Sequence, residues 1–528
     1  MLGHGEFEIK CRDLLARIGR LKTKSGTVET PAFLPVINMV KQSVTPRELW
    51  NEFDCKILIT NAYIIKRQYA KNEKKIEIHS LLDFPGVIMT DSGAYQILEY
   101  GGIDIKPDEI VKFQEDINTD IATILDLPTG WKVSKEYAEH TVRETVNRAR
   151  ELEKLKSRDD ILWTGPIQGG RYLDLVAKSA NEMGKLPFDV HALGSPTPVM
   201  EQYLFDTLTD MIITAKMNLP SNRPFHLFGA GHPFMFALAV ALGCDLFDSA
   251  AYNIFAHDDR YLSTYGTFHL EELEYLPCSC PVCYNRDPRD LREMPKNERE
   301  IILTRHNLYV CFSEIKRIKQ AIVEGRLWEY LLMRAHGHPS LLQAIKRLKD
   351  YSEILEKQSP IVKRSGLFFF SSTDLIRPEV IRHKKRLEER YRPPRKARVL
   401  ILLPSSGPKR TIKSGRYRKI IRHICEELHI EKDDLHVCFY ALPFGVVPEE
   451  ISDVYPLSQY EIALPPDMEV TEYVAKQVMR YLQVNKDRYE KKIMIFGSKA
   501  WHRDVVKACI RELGKNSLEF LESTAISK

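Results

Sequence analysis

Short apolar runs recur through the first half of the chain, each closing on polar or glycine positions. They are 31–38 (PAFLPVIN), 57–63 (ILITNAY), 87–93 (VIMTDSG), 122–126 (ATILD), 164–170 (TGPIQGG), 190–195 (VHALGS), 224–231 (PFHLFGAG) and 246–252 (LFDSAAY). Runs of this length bounded by turn residues predict buried strands. Segments of helical periodicity separate most of them, among them 45–53, 136–155 and 234–242. Eight strands alternating with helices predict an α/β fold of the (β/α)8 TIM-barrel kind, with an open doubly wound sheet as the alternative. Two earlier strand candidates, 6–10 and 16–22, are placed to cap the barrel floor.

The pattern changes after residue 277. A tight cysteine cluster is followed by amphipathic stretches at 315–321 and 328–335, and the helical pattern continues over 341–355. A proline-broken basic segment, 390–396 (RYRPPRK), reads as a linker. Beyond it a second α/β pattern begins: strands at 399–403, 435–440 and 492–496, helices at 417–428, 470–482 and 502–513. The expected organisation is a barrel with a zinc insertion over 1–345, a helical and basic linker region over 346–396, and a small three-layer α/β domain over 397–528.

At 528 residues the chain is long enough for two or more domains with large cores. Its start lacks the basic and apolar regions of a secretion signal. The most apolar stretch, 225–247, is interrupted by Gly229, Gly231, His232, Pro233 and Gly243, which suits a core strand and helix better than a membrane span. Ten cysteines without a leader point to a reducing cytoplasm. The net charge of +5 conceals an asymmetry: residues 377–424 hold 17 Lys or Arg against three acidic residues, so the rest of the chain is net acidic. Such a block suits either a solvated face or contact with a polyanion, for which a nucleic-acid backbone is the natural candidate.

A parallel barrel places its active site at the C-terminal strand ends. Those ends carry Asn61, Asp91, Asp126, Gln168, the Leu193–Gly194 step, Gly229 to Gly231, and Asp248. One Asp after a strand is commonly a helix N-cap. Three on one rim point to nucleophilic or acid–base work at a sugar, where a carboxylate meets an oxocarbenium-like centre, or to a metal. His232 is the only histidine this reading puts near the strand ends, in a structural role. The second constellation is Cys278, Cys280 and Cys283, with His306 downstream. Three thiolates and an imidazole make a closed tetrahedral Zn2+ site of the structural kind, with an iron–sulfur ligand set as the alternative.

Four stretches taken together, Thr90 to Gln96 (TDSGAYQ), Pro166 to Gly170 (PIQGG), Asp245 to Ala250 (DLFDSA) and Cys278 to Cys283, resemble the tRNA-guanine transglycosylases, and most of all their archaeal branch. The resemblance covers about residues 6 to 390. It implies a pentosyltransferase that exchanges the guanine at position 15 of the tRNA D-arm for 7-cyano-7-deazaguanine (preQ0), a step toward archaeosine. It implies Asp248 as the nucleophile that attacks ribose C1′, giving a covalent tRNA–enzyme intermediate. Asp91 matches a second catalytic aspartate, Asp126 and Gln168 match base-recognition positions, and Tyr95 matches an aromatic that stacks on the base. Ser92, Ala192 and Gly194 fall in the same substrate-binding set. The resemblance also implies a homodimer built partly around the zinc region. Bacterial relatives have a glutamate pocket wall after the Leu-Gly step. Here that step continues Ser195-Pro196-Thr197-Pro198 with no carboxylate before Glu201, which favours an uncharged nitrile over a cationic aminomethyl group. A target base buried in the tRNA core must be exposed before it reacts.

The C-terminal part departs from the usual archaeal pattern, because no PUA-type RNA-binding module is recognisable. Residues 399–404, 443–448 and 455–456 instead resemble a domain of archaeosine synthase. That enzyme's motif of Pro-Cys, Lys-Pro-Tyr, Ser and His is reduced here to Pro404-Ser405, Lys409-Arg410-Thr411, Ser414 and Tyr417. The lysine persists while its partners are replaced, so the domain reads as a docking module, with the basic run 382–419 as its RNA contact. Two other readings stay open: a silent tRNA-binding paralogue, and archaeosine synthase itself acting on preQ0-tRNA, which would otherwise be a separate partner.

Overall fold

All eight apolar runs form strands. A computed structural model of the chain describes residues 2–39, 42–69, 76–95, 105–405, 407, 415–513 and 518–523. Three antiparallel strands come first: β1 (Phe7–Asp13), β2 (Ala16–Lys22) and β3 (Thr27–Thr30). The barrel follows as β4 (Ala32–Ile37), β5 (Ile57–Asn61), β6 (Val87–Asp91), β7 (Ile121–Thr123), β8 (Leu162–Ile167), β9 (Val190–Leu193), β10 (Phe225–Leu227) and β11 (Leu246–Ser249). Each strand pairs in parallel with the next, and β11 closes on β4. The open-sheet alternative is thereby excluded.

The closed ring explains the unbroken apolar runs, because its strands are buried on both faces. Ile57, Val87, Ile121, Leu162, Val190 and Leu246 open their strands and pack together at the N-terminal end of the barrel. Leu21 of β2 and Val28 just inside β3 join this cluster, so the antiparallel sheet plugs the floor as expected. A buried ion pair, Arg17 Nη2 to Asp245 Oδ2 at 2.7 Å, ties the plug to the approach to β11. With the floor filled, the chemistry is left to the C-terminal mouth.

Crossover helices start where local sequence specifies them. Thr45 caps Pro46–Phe53: its side chain accepts from Glu48 N–H while Glu48 reaches back to Thr45 N–H, a reciprocal capping box with Pro46 in the first turn. Ser134 caps the 21-residue helix Lys135–Leu155. The stretch at 315–321 belongs to a longer helix, Lys296–Glu324, and the 341–355 pattern is broken into Pro339–Arg347, a 3-10 turn and Ser352–Gln358.

Two compact units divide the chain: Met1–Val323 with Leu327–Arg347, and Glu324–Arg326 with Leu348–Lys528. The second is built on a five-stranded sheet in the order Gly445–Pro448, Leu435–Ala441, Val399–Ser405, Lys491–Phe496, Glu519–Glu522. Only the Gly445–Pro448 strand is antiparallel to its neighbour. Successive residues of Val399–Ser405 face opposite ways: Leu400 and Leu402 enter one core, while Val399, Ile401 and Leu403 enter the other. Residues 348–396 are part of this unit. Leu367–Phe369 pairs with Tyr460–Ile462, and Val380 is buried in the second core. Among the described residues no helix is long and apolar enough to cross a membrane.

Candidate active site

A cavity of about 620 Å3 opens at the C-terminal ends of the barrel strands. Its wall includes Asn61, Asp91, Tyr95, Asp126, Gln168, Gly194 and Asp248. Ser92 and Ala192 are fully buried and are not among the lining residues. Gln96, the last residue of the first motif, lies outside the described residues, as do Lys409, Arg410, Thr411 and Ser414.

The helix that follows β11, Ala251–His257, has Ala250 and not Asp248 at its N-cap. Asp91 closes β6 directly beside Asn61 of β5 in the strand register. Its Oδ2 accepts from Asn61 Nδ2 at 3.1 Å and from Gly93 N–H at 3.3 Å. Burial pushes its carboxyl up to about 7, and the neighbouring charges of Asp126 and Asp248 push the same way. Asp126 is raised to about 6 by burial, against the hydrogen bond it receives from Gln168. At neutral pH Asp91 can therefore both hold and release a proton, which suits an acid–base group.

Gln168 is fixed at both ends. Its Nε2 donates to Asp126 Oδ2, and its Oε1 accepts from Thr129 N–H at 2.8 Å and Ser195 Oγ at 3.2 Å. Gly194 permits this arrangement, because a Cβ there would stand 2.2 Å from Gln168 Nε2. A planar amide with its rotation locked and a neighbouring carboxylate form a rigid polar edge, the kind of surface that reads a heterocycle's donors and acceptors. Tyr95, half exposed, and Phe228 supply aromatic surface in the same cavity.

Asp248 lies within β11, and its side chain is 13% exposed. Its Oδ1 is 2.8 Å from His226 Nε2 and accepts from Gly229 N–H at 3.0 Å. His226, inside β10, corrects the sequence reading that only His232 stands near the strand ends. The histidine sits in an uninterrupted apolar run and reads as core; only the pairing of β10 with β11, which aligns His226 with Leu246, shows that it reaches Asp248. His232 has the structural role expected of it. Its Nε2 meets Thr267 Oγ1 at 2.8 Å, its Nδ1 accepts from Phe234 N–H, and burial pushes it down to about 3.

Cys278, Cys280, Cys283 and His306 come together away from this cavity, with one donor atom from each inside 4.8 Å of the others. The set can hold a metal ion. His306 Nδ1 lies 3.3 Å from Cys283 Sγ and 3.6 Å from Cys280 Sγ, and its Nε2 is 2.9 Å from Leu262 O. That carbonyl fixes the ring so that Nδ1 faces the sulfurs, an arrangement common around metal-ligating histidines. Tyr261 stacks on the imidazole, with ring centroids 3.6 Å apart. The second unit also shows where the basic block goes. Arg377 is fully buried beside Asp374 and Glu379, Arg382 is buried against Glu356, and Arg398 pairs with Asp434 and Glu490. Arg377 and Arg382 are thus paired inside the protein, while Arg398 keeps its pairs at the surface.

Residues 11–340 match the family model described as queuine tRNA-ribosyltransferase, and residues 380–527 match a domain of unknown function. A relative from Sulfolobus acidocaldarius is 41% identical over 97% of this chain and 100% of its own length. One from Saccharolobus solfataricus is 45% identical over 91% of this chain and 95% of its own. One from Methanocaldococcus jannaschii is 43% identical over 92% of this chain and 72% of its own. All three are named tRNA-guanine(15) transglycosylase. With its closed eight-stranded barrel and these relatives, the chain belongs to the queuine tRNA-ribosyltransferase family of tRNA-modifying pentosyltransferases.

Proposed function

We propose that this protein exchanges guanine 15 of tRNA for 7-cyano-7-deazaguanine. The observation that carries the reading is the convergence of Asp91, Asp126, Gln168 and Asp248 on one cavity at the barrel mouth. In the first half-reaction an Asp248 oxygen attacks ribose C1′. The C1′–N9 bond breaks, its electron pair leaves with guanine, and the departing base takes a proton from Asp91. In the second half-reaction the incoming base gives a proton to Asp91 carboxylate, attacks C1′ and displaces Asp248. A group raised to about 7 serves both proton transfers. Gln168 with Asp126 reads the base edge, Tyr95 stacks on its face, and the Gly194 backbone lies beside it. Ser92 and Ala192, both fully buried, complete the proposed substrate-binding set.

The incoming base is read as uncharged. Ser195 is engaged with Gln168, and Glu201, though in the cavity wall, is exposed, so the stretch from Ser195 to Glu201 supplies no buried carboxylate for a cation. The Cys278–Cys280–Cys283–His306 set fits structural Zn2+, since four protein donors leave no position to activate water. The barrel unit is the catalytic domain and the C-terminal unit a tRNA-docking domain acting in the cytoplasm. The active form is a homodimer, and a separate archaeosine synthase converts the nitrile afterwards.

The test uses tRNA carrying labelled guanine at position 15, incubated with each candidate base. Label release driven by the nitrile base is expected. No release with any deazaguanine overturns the exchange reading, and faster release with the aminomethyl base overturns the choice of base.

A further inference from the structure

We infer that His226 is a positioning residue for Asp248, and that together with the Gly229 amide it dedicates one carboxylate oxygen to binding so that the other attacks. The inference rests on Asp248 being the attacking carboxylate. His226 is fully buried inside β10, its Nε2 stands 2.8 Å from Asp248 Oδ1, and Gly229 N–H reaches the same oxygen at 3.0 Å. Two donors on Oδ1 restrain the carboxylate and leave Oδ2 without a hydrogen bond among the described residues, on a side chain that lines the cavity.

Both donors are built into the fold. Gly229 has φ +70°, a left-handed backbone that turns its amide toward Asp248, and a Cβ there would meet Thr197 Oγ1 at 2.7 Å. His226 is held between β9 and β11 by strand pairing at both sides, and its ring packs against Phe228 with centroids 4.7 Å apart. Its Nδ1 has no hydrogen-bond partner among the described residues. A lone pair in that apolar position is cheaper than an orphaned N–H, so the ring proton sits on Nε2, where it donates to Asp248.

A donor aimed at a carboxylate does two things: it orients the group, and it stabilises the charged form needed for attack. The test compares His226→Phe, which fills the space without a donor, and His226→Gln, whose Nε2 can restore one. Steady-state exchange is measured with tRNA and incoming base, alongside thermal melting and tRNA affinity. Loss of a hydrogen bond to a charged group predicts a fall of roughly tenfold to a hundredfold in kcat for His226→Phe. KM for tRNA should stay within about twofold, because His226 is fully buried and acts only through Asp248. His226→Gln should recover a large part of kcat, which a purely space-filling role for the histidine would not predict. If His226→Phe is too unstable to assay, His226→Asn, too short to reach Asp248, replaces it: a fall in kcat that His226→Gln reverses supports the role, and equal kcat in the two variants overturns it. A folded His226→Phe with wild-type kcat also overturns it. Retained exchange by Asp248→Asn would instead overturn the underlying assignment of the nucleophile.

Discussion

Asp91 is held where its charge is unwelcome, and that has a thermodynamic signature. Its carboxyl sits near 7 in the folded protein and near 4 in an unfolded chain, so between those values the folded state binds the extra proton. Stability contributed by this group is therefore present at low pH and lost as pH rises through 7. Asp91→Asn should be more stable than wild type at pH 8, by roughly 2–4 kcal/mol, and equal to it near pH 4, while losing exchange activity. Equal melting at both values would contradict the raised carboxyl. At this scale the sequence was generous where chemistry repeats and silent where it depends on neighbours. Asp91, Asp126, Gln168 and Asp248 were legible because polar residues closing apolar strands stand out. His226 was not, because a histidine inside PFHLFG reads as core until its partner strand is known. Phe228, in the same run, was missed for the same reason.

Whole elements were legible when local signals agreed. The eight barrel strands and the capped helices Pro46–Phe53 and Lys135–Leu155 needed only period, cap and turn residues. The short strands at Thr27–Thr30, Leu367–Phe369, Gly445–Pro448 and Glu519–Glu522 were missed, because three or four residues carry too little pattern and are fixed by pairing with distant chain. The cysteine cluster needed only its spacing. Cys280→Ala should lose bound zinc and soluble yield, read by metal analysis of the purified protein; full zinc occupancy would remove Cys280 from the ligand set. In the C-terminal unit the exposed cations Arg418, Lys419 and Arg422 share the helix Gly415–Leu428. Replacing all three with Ala should weaken tRNA binding and reduce the slope of log affinity against log salt by roughly two. An unchanged slope would mean that this helix does not touch the RNA.

For the molecule as a whole, the alternation of strands and helices specified a closed barrel because eight parallel strands buried on both faces have few other arrangements. The distribution of charge was less legible. A block of 17 cations looked like a surface, yet Arg377 and Arg382 are buried in ion pairs whose acidic partners sequence order alone does not identify. The segment at 348–396 likewise contributes strand and core to the second unit instead of running as a linker. On the proposed reading, the barrel presents one carboxylate, that of Asp248, to a ribose. The most direct measurement mixes enzyme with tRNA in the absence of incoming base and resolves the products on a denaturing gel. Wild type should yield an enzyme–tRNA adduct, and Asp248→Asn should yield none while binding tRNA with wild-type affinity. An adduct of equal yield in Asp248→Asn, or exchange at the wild-type rate by that variant, would contradict the account.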